Sequence, residues 1–118
     1  MTTTASTTTP TSDNGKQLTL LAFITAKAGQ SDELGRRLSA LVDPTRAEPG
    51  CINYDLHRSN DDPSVWVIYE NWRTPADLDY HFQTEHFLNF KASSHEVLGD
   101  EMDLWRCSMT STQIAPNK

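Results

Sequence analysis

The sequence predicts an α+β fold of the ferredoxin-like kind: a split βαβ sandwich with one antiparallel four-stranded sheet. Three observations carry that expectation. Short stretches alternate apolar and polar residues with a period of two, and longer ones repeat apolar residues at helical spacing. Their order is strand, helix, strand, strand, helix, strand, with a hairpin at the centre. Helices then cover one face of the sheet, and the other face keeps residues such as Leu, Val and Tyr. A bare apolar face signals association. Two such sheets packed face to face make a dimeric α+β barrel.

Each element has its own warrant. Leu18 to Ala26 reads as the first strand, with Leu18, Leu20, Ala22 and Ile24 on one side and Thr19, Leu21, Phe23 and Thr25 on the other. Both sides hold apolar residues, so the strand expects cover on both. Ala28-Gly29-Gln30 is a turn, after which Ser31 or Gln30 caps a helix with Glu33 near its start. Leu34, Leu38, Leu41 and Val42 form its apolar stripe, with Arg36 and Arg37 off it. Pro44 is expected to disturb this helix near its end, and Glu48-Pro49-Gly50 turns the chain.

Cys51 to Arg58 is the second strand, with Ile52, Tyr54 and Leu56 on one face and Cys51, Asn53, Asp55 and His57 on the other. The turn Asn60-Asp61-Asp62-Pro63 leads into Val65 to Trp72. There Val67 and Tyr69 face one way; Trp66, Ile68, Glu70 and Trp72 face the other. Thr74-Pro75 opens the next helix, with Thr as cap and Asp77 three residues on. Leu78 and Phe82 run down one side of it. The segment breaks near Gln83, restarts toward Leu98 and stops at Gly99. Met102 to Met109 is the last strand. Residues 1–16 read as a flexible Thr/Ser-rich tail, 17–110 as the single domain and 111–118 as a polar C-terminal tail.

Composition narrows the function classes. The net charge of −6 argues against general nucleic-acid binding and against docking on anionic lipid. No apolar run approaches the roughly 20 residues of a membrane span. The N-terminus lacks a basic region followed by an apolar one, so a cytoplasmic location is expected. Cys51 and Cys107 read as small core residues with free thiols rather than as a disulfide pair or a zinc motif. No glycine-rich phosphate loop or nucleophile elbow is present.

The stretch from Glu48 to Phe90 concentrates the histidines, tryptophans and tyrosines. Glu-Pro-Gly-Cys at 48–51, Tyr54, the run Tyr69-Glu70-Asn71-Trp72, and His81 with His86-Phe87 resemble the antibiotic biosynthesis monooxygenase domain family. The likeness covers roughly Leu18 to Met109. It implies a dimeric ferredoxin-like barrel with a pocket between helices and sheet. It also implies oxidation of electron-rich phenols or quinols by O₂ without metal or flavin. Trp72 matches an aromatic pocket residue of the oxygenases, His81 and His86 a pair on the second helix, and Glu70 the acid of a Tyr-Glu pair. The first strand lacks the Asn of the haem-degrading branch, and the polyketide oxygenases' pocket Arg is missing near His86.

Such chemistry asks the protein to deprotonate a phenol, hold the anion in a dry pocket and admit O₂. A neutral histidine suits the first task. His81 is the expected base, with His86 and Glu70 as its companions. His81 and His86 are five residues apart, so only a helix break brings both to one pocket. Trp72, Trp66, Asn53 and Phe82 are expected to bind the aromatic substrate. Structural readings stand beside these. His81 is a half-buried helix residue bonded to a carbonyl, and His86 braces the helix break. Glu70 bridges to Arg73, Arg58 or Arg106; the tryptophans pack in the core; Asn53 and His57 are solvated or lie in an interface. No metal and no cofactor is expected: a cluster of His57, His81, His86 and Glu70 shows no short ligand pair at metal spacing. The functional expectation is a cofactor-independent monooxygenase acting on a quinol or polyphenol, as a homodimer or higher oligomer. The alternatives are an isomerase acting on a small carbonyl compound and a non-catalytic module that binds an aromatic ligand.

Overall fold

The computed structural model describes residues 16–111. Strands β1 (Leu18–Thr25), β2 (Cys51–Arg58), β3 (Val65–Trp72) and β4 (Asp103–Cys107) form one antiparallel sheet in the order β2-β3-β1-β4. Helices α1 (Ser31–Arg46), α2 (Pro75–His81) and α3 (Glu85–Ser93) follow β1 and β3, and a short 3₁₀ turn, Ser94–Glu96, precedes β4. This is the split βαβ arrangement. The expected tails lie almost wholly outside the described residues.

The core is one layer thick. Leu18, Leu20, Ala22 and Ile24 of β1 are buried under Leu34, Leu38 and Leu41 of α1, together with Leu78 and Phe90 from the later helices. Their spacing, two along the strand and three or four along the helix, is what places them on facing surfaces. On the opposite sheet face Leu21, Phe23 and Val67 are half-buried, and Tyr69 and Trp105 are exposed.

Three local expectations differ from the structure. Between Cys51 and Asn53 the β2–β3 register slips, because two steps on β2 match one on β3. This bulge turns Cys51 toward the helices, opposite Trp72, and leaves Ile52 54% exposed instead of sharing the face of Tyr54. Pro44 does not end α1, which runs on to Arg46. The bond that Pro44 cannot make belongs to the carbonyl of Ala40, an exposed residue. The last strand is also shorter than expected, five residues from Asp103.

The start of α1 has no side-chain cap. Ser31 instead donates to the Pro63 carbonyl at 2.6 Å and accepts the Trp66 indole N–H at 3.0 Å. The Arg58 guanidinium covers the same ring at 4.8 Å. Trp66 is thus pinned flat on α1 at Gly35, where an added Cβ would fall 2.3 Å from a ring carbon. Glycine to alanine inside a helix ordinarily stabilises by about 1 kcal/mol. Here the fixed ring reverses the sign: Gly35→Ala is expected to lose about 1–3 kcal/mol in urea denaturation, as overpacking does.

Candidate active site

The site is built where the second helical segment breaks. Thr84 accepts a bond from the Phe87 N–H to start α3 and donates its hydroxyl to the His81 carbonyl at the end of α2. The three residues between the helices let positions 81 and 86 converge, which a continuous helix would forbid. They converge on Glu48. Its Oε2 meets His81 Nδ1 at 2.7 Å and His86 Nε2 at 2.7 Å. Glu48 sits in the turn between α1 and β2, held by its own N–H on the Thr45 carbonyl and by the Cys51 N–H on its carbonyl. Its carboxylate is nearly sealed from solvent, and Oε1 has no partner among the described residues.

His81 is 2% exposed and ringed by aromatics. Trp72 lies 4.9 Å from it between ring centres, Phe87 5.2 Å, Phe82 5.5 Å and Tyr54 5.8 Å. Burial among these rings pulls the His81 imidazole below its ordinary value, against the opposing pull of Glu48; the neighbouring His86 adds to the lowering. A neutral ring with Nδ1–H on Glu48 leaves Nε2 as its free lone pair. His81 lines an apolar cavity between sheet and helices, with Leu20, Ile24, Leu38 and Phe90 among its walls. The cavity volume is about 20 Å³, room for about one water molecule. Met102 and Leu104 form its margin at β4, and Leu104 is 40% exposed.

Glu70 is the acid that lines this cavity. Burial, with the Glu48 charge adding to it, pushes its carboxyl up to about 8, although the Trp72 indole N–H on Oε1 at 2.9 Å pulls the other way. At neutral pH Glu70 is therefore mostly protonated and able to donate a hydrogen bond. The arginine partners expected for it are engaged elsewhere: Arg73 with Asp77, Arg58 with Asp32 and Arg106 with Asp79.

The structure brings His81, Glu70 and Phe82 to the cavity wall. His86 joins the site through Glu48 and lines an external groove of about 440 Å³ with Tyr80 and Glu85. Trp72 is fully buried behind His81 rather than on the wall. Trp66 and Asn53 are not at the cavity. Trp66 lies on α1, and Asn53 bonds to Asn71 and Asp55 on the helix-free face of the sheet. His57 is exposed on that same face. The residue that sequence reasoning missed is Glu48, read there only as part of a turn. Its one signal was its place at the head of the Glu-Pro-Gly-Cys motif.

Glu48, His81 and His86 offer donor atoms within 4.8 Å of one another, a set of the kind that holds a metal ion. Their two contacts are of hydrogen-bond length. A tetrahedral zinc site spreads its ligand atoms to roughly 3.3 Å. The geometry as it stands is that of shared protons. Burial also pushes the Cys51 thiol up to about 11, which leaves it unreactive. Cys107, paired with Thr19 on the far side of the sheet, is out of its reach.

Comparison with known proteins agrees with this architecture. A crystal structure of a Pseudomonas aeruginosa protein is 39% identical and superposes with a TM-score of 0.78, covering 83% of this chain and 98% of that one. A Mycobacterium tuberculosis structure is 29% identical with a TM-score of 0.77, covering 82% and 98%. Among curated relatives, YcnE of Bacillus subtilis, named only provisionally as a monooxygenase, is 30% identical over 79% of this chain and 98% of its own length. An uncharacterized Synechocystis protein is 32% identical over 75% of this chain, which spans only 62% of that protein. The family profile described as antibiotic biosynthesis monooxygenase matches residues 17–93. The chain belongs to the antibiotic biosynthesis monooxygenase family.

Proposed function

We propose that this protein is a cofactor-independent monooxygenase that oxidises a quinol or related polyphenol with O₂. One observation supports the reading above the others: a buried imidazole, bonded through Nδ1 to a buried carboxylate, lines an apolar cavity. His81 Nε2 takes the phenolic proton. The resulting phenolate, no longer stabilised by water, gives an electron to O₂, and the two radicals combine at a ring carbon. Loss of water from that peroxide leaves one oxygen on the ring. A hydroquinone and O₂ thus give a hydroxyquinone and water, with His81 returning its proton to the departing oxygen. Protonated Glu70, on the same cavity, donates to the second substrate oxygen in this reading. Trp72 positions Glu70 and His81 from behind.

Oxygen uptake with a panel of reduced quinols, run with chelator present, tests this. Uptake with incorporation of one atom of ¹⁸O₂ into the product is expected. Exchange of substrate hydrogen in D₂O without oxygen uptake would assign the site to an isomerase, and tight binding without product to a carrier.

A second copy of the chain is the proposed cover for the open sheet face. Phe23 and Trp105 sit 5.2 Å apart there beside Leu21 and Val67, and Trp105 is 53% exposed. A chain of this size gains much of its core by association. Trp105→Glu is expected to convert a dimer to a monomer in sedimentation velocity; a wild-type chain that sediments as a monomer at micromolar concentration would refute the dimer.

A further inference from the structure

We propose that Glu48, His81 and His86 form a site for a divalent zinc-like ion, and that filling it switches off the base. The second half rests on the reading of His81 as the base; the first half does not. Two imidazoles and a carboxylate are a donor set that suits zinc, copper and nickel. One donor atom of each residue lies within 4.8 Å of the other two. The carboxylate also lacks a cation. The Glu48 side chain is 5% exposed, and its Oε1 has no partner among the described residues. No Lys or Arg among those residues forms an ion pair with it; the paired arginines all go to other carboxylates. A buried carboxylate is ordinarily paired or bound to a metal.

The change of geometry that an ion requires is small. Both histidine nitrogens now stand 2.7 Å from one oxygen, Glu48 Oε2. Around zinc the same atoms sit roughly 3.3 Å apart, so each contact opens by about 0.6 Å. His86, a quarter exposed on the first turn of α3, is the ligand with room to move. His81 is fixed among Trp72, Phe82 and Phe87. The way in is the external groove of about 440 Å³, which Glu48 and His86 line. Three protein ligands leave a fourth position for water.

Occupancy changes the tautomer of His81. Without the ion, its hydrogen lies on Nδ1 toward Glu48, and Nε2 has the lone pair. A neutral imidazole has one N–H, so an ion on Nδ1 moves that hydrogen to Nε2. One proton leaves Nδ1 for water and one is taken up at Nε2. The ring stays neutral, and nothing is oxidised or reduced. His86 makes the opposite exchange, with the ion on Nε2 and the hydrogen on Nδ1. His81 Nε2 then has no lone pair for a phenolic proton, and the ion inhibits without touching the substrate.

Zinc chloride titrated into the full, chelator-treated chain tests the site by calorimetry. One ion per chain is expected, and cobalt(II) in its place is expected to give the visible bands of a four-coordinate ion. His86→Ala, at a partly exposed position where the fold tolerates change, is expected to weaken binding more than about a hundredfold, since even a residue behind a ligand contributes about 10–100-fold. His57→Ala and His95→Ala, on exposed histidines, are expected to leave it unchanged. Absence of binding, or binding that His86→Ala leaves intact, overturns the site. The ¹⁵N ring signals of His81 test the switch. One equivalent of zinc is expected to convert the Nδ1–H form to the Nε2–H form, and an unconverted ring overturns it. Zinc is also expected to abolish quinol-dependent oxygen uptake at the concentration at which it binds, and chelator to restore it; undiminished uptake in the saturated chain overturns the switch. A chain that binds zinc but oxidises no quinol, with or without chelator, refutes the oxygenase reading and leaves the site standing.

Discussion

His81→Ala is expected to lower oxygen uptake with a reduced quinol by about 10²–10⁴-fold, the range a positioned base contributes. The effect falls on kcat, because the apolar walls that hold the ring are left in place. His81→Gln, which fills more of the space, is expected to fail as badly, since an amide cannot accept the proton and pass it on. In the wild type the acid limb of the rate profile lies below pH 6.5. The sign follows from the cause: burial disfavours the charged ring, so the base stays neutral and competent to a lower pH than free imidazole. Stopped-flow oxygen consumption from pH 5 to 9 checks both statements. Uptake in His81→Ala within a factor of three of the wild type would remove His81 from the chemistry.

The second large effect is on stability. Trp72→Ala is expected to lose about 3–5 kcal/mol, the cost of emptying a buried aromatic site. Trp72 is fully buried, and its ring supports His81. It also satisfies Glu70, so the alanine variant leaves a buried carboxyl without its donor. Trp72→Phe separates the two contributions. It retains most of the packing and loses the indole N–H, and about 1–3 kcal/mol is expected for that loss. Urea denaturation at pH 7 with all three chains gives both numbers. Equal loss in the Phe and Ala variants would mean that the hydrogen bond carries nearly all of the effect.

Much of this architecture could be read from residue spacing, because period two and period three-to-four leave little freedom over eight to sixteen residues. The sides of β1 and β3 follow from alternation, and the helix break expected near Gln83 falls between His81 and Glu85. Where spacing failed, a local event intervened. The bulge at Ile52 adds a residue that strict alternation does not anticipate, so β2 before Asn53 was assigned to the wrong faces. Glu70 was matched to distant arginines, although Trp72, two positions along the same strand face, has the donor. Glu48 could not be inferred from spacing at all. It lies 33 and 38 residues from its two histidines, and nothing local in Glu-Pro-Gly tells a turn residue from a site residue. Only the folded packing of the α1–β2 turn against the α2–α3 break joins them.

The pairing of β4 with β1 has a consequence for the chain's birth. These strands are at least eighty residues apart in sequence, and the β4 edge supplies Leu104, with Met102 just before it, to close the chamber. A ribosome adding roughly 5–20 residues per second completes the base, its carboxylate and the aromatic ring around them seconds before that door exists. Until the final strand pairs, the side of the cavity lined by Met102 and Leu104 is open. In the order of synthesis of these elements the chamber is therefore the last part to be walled.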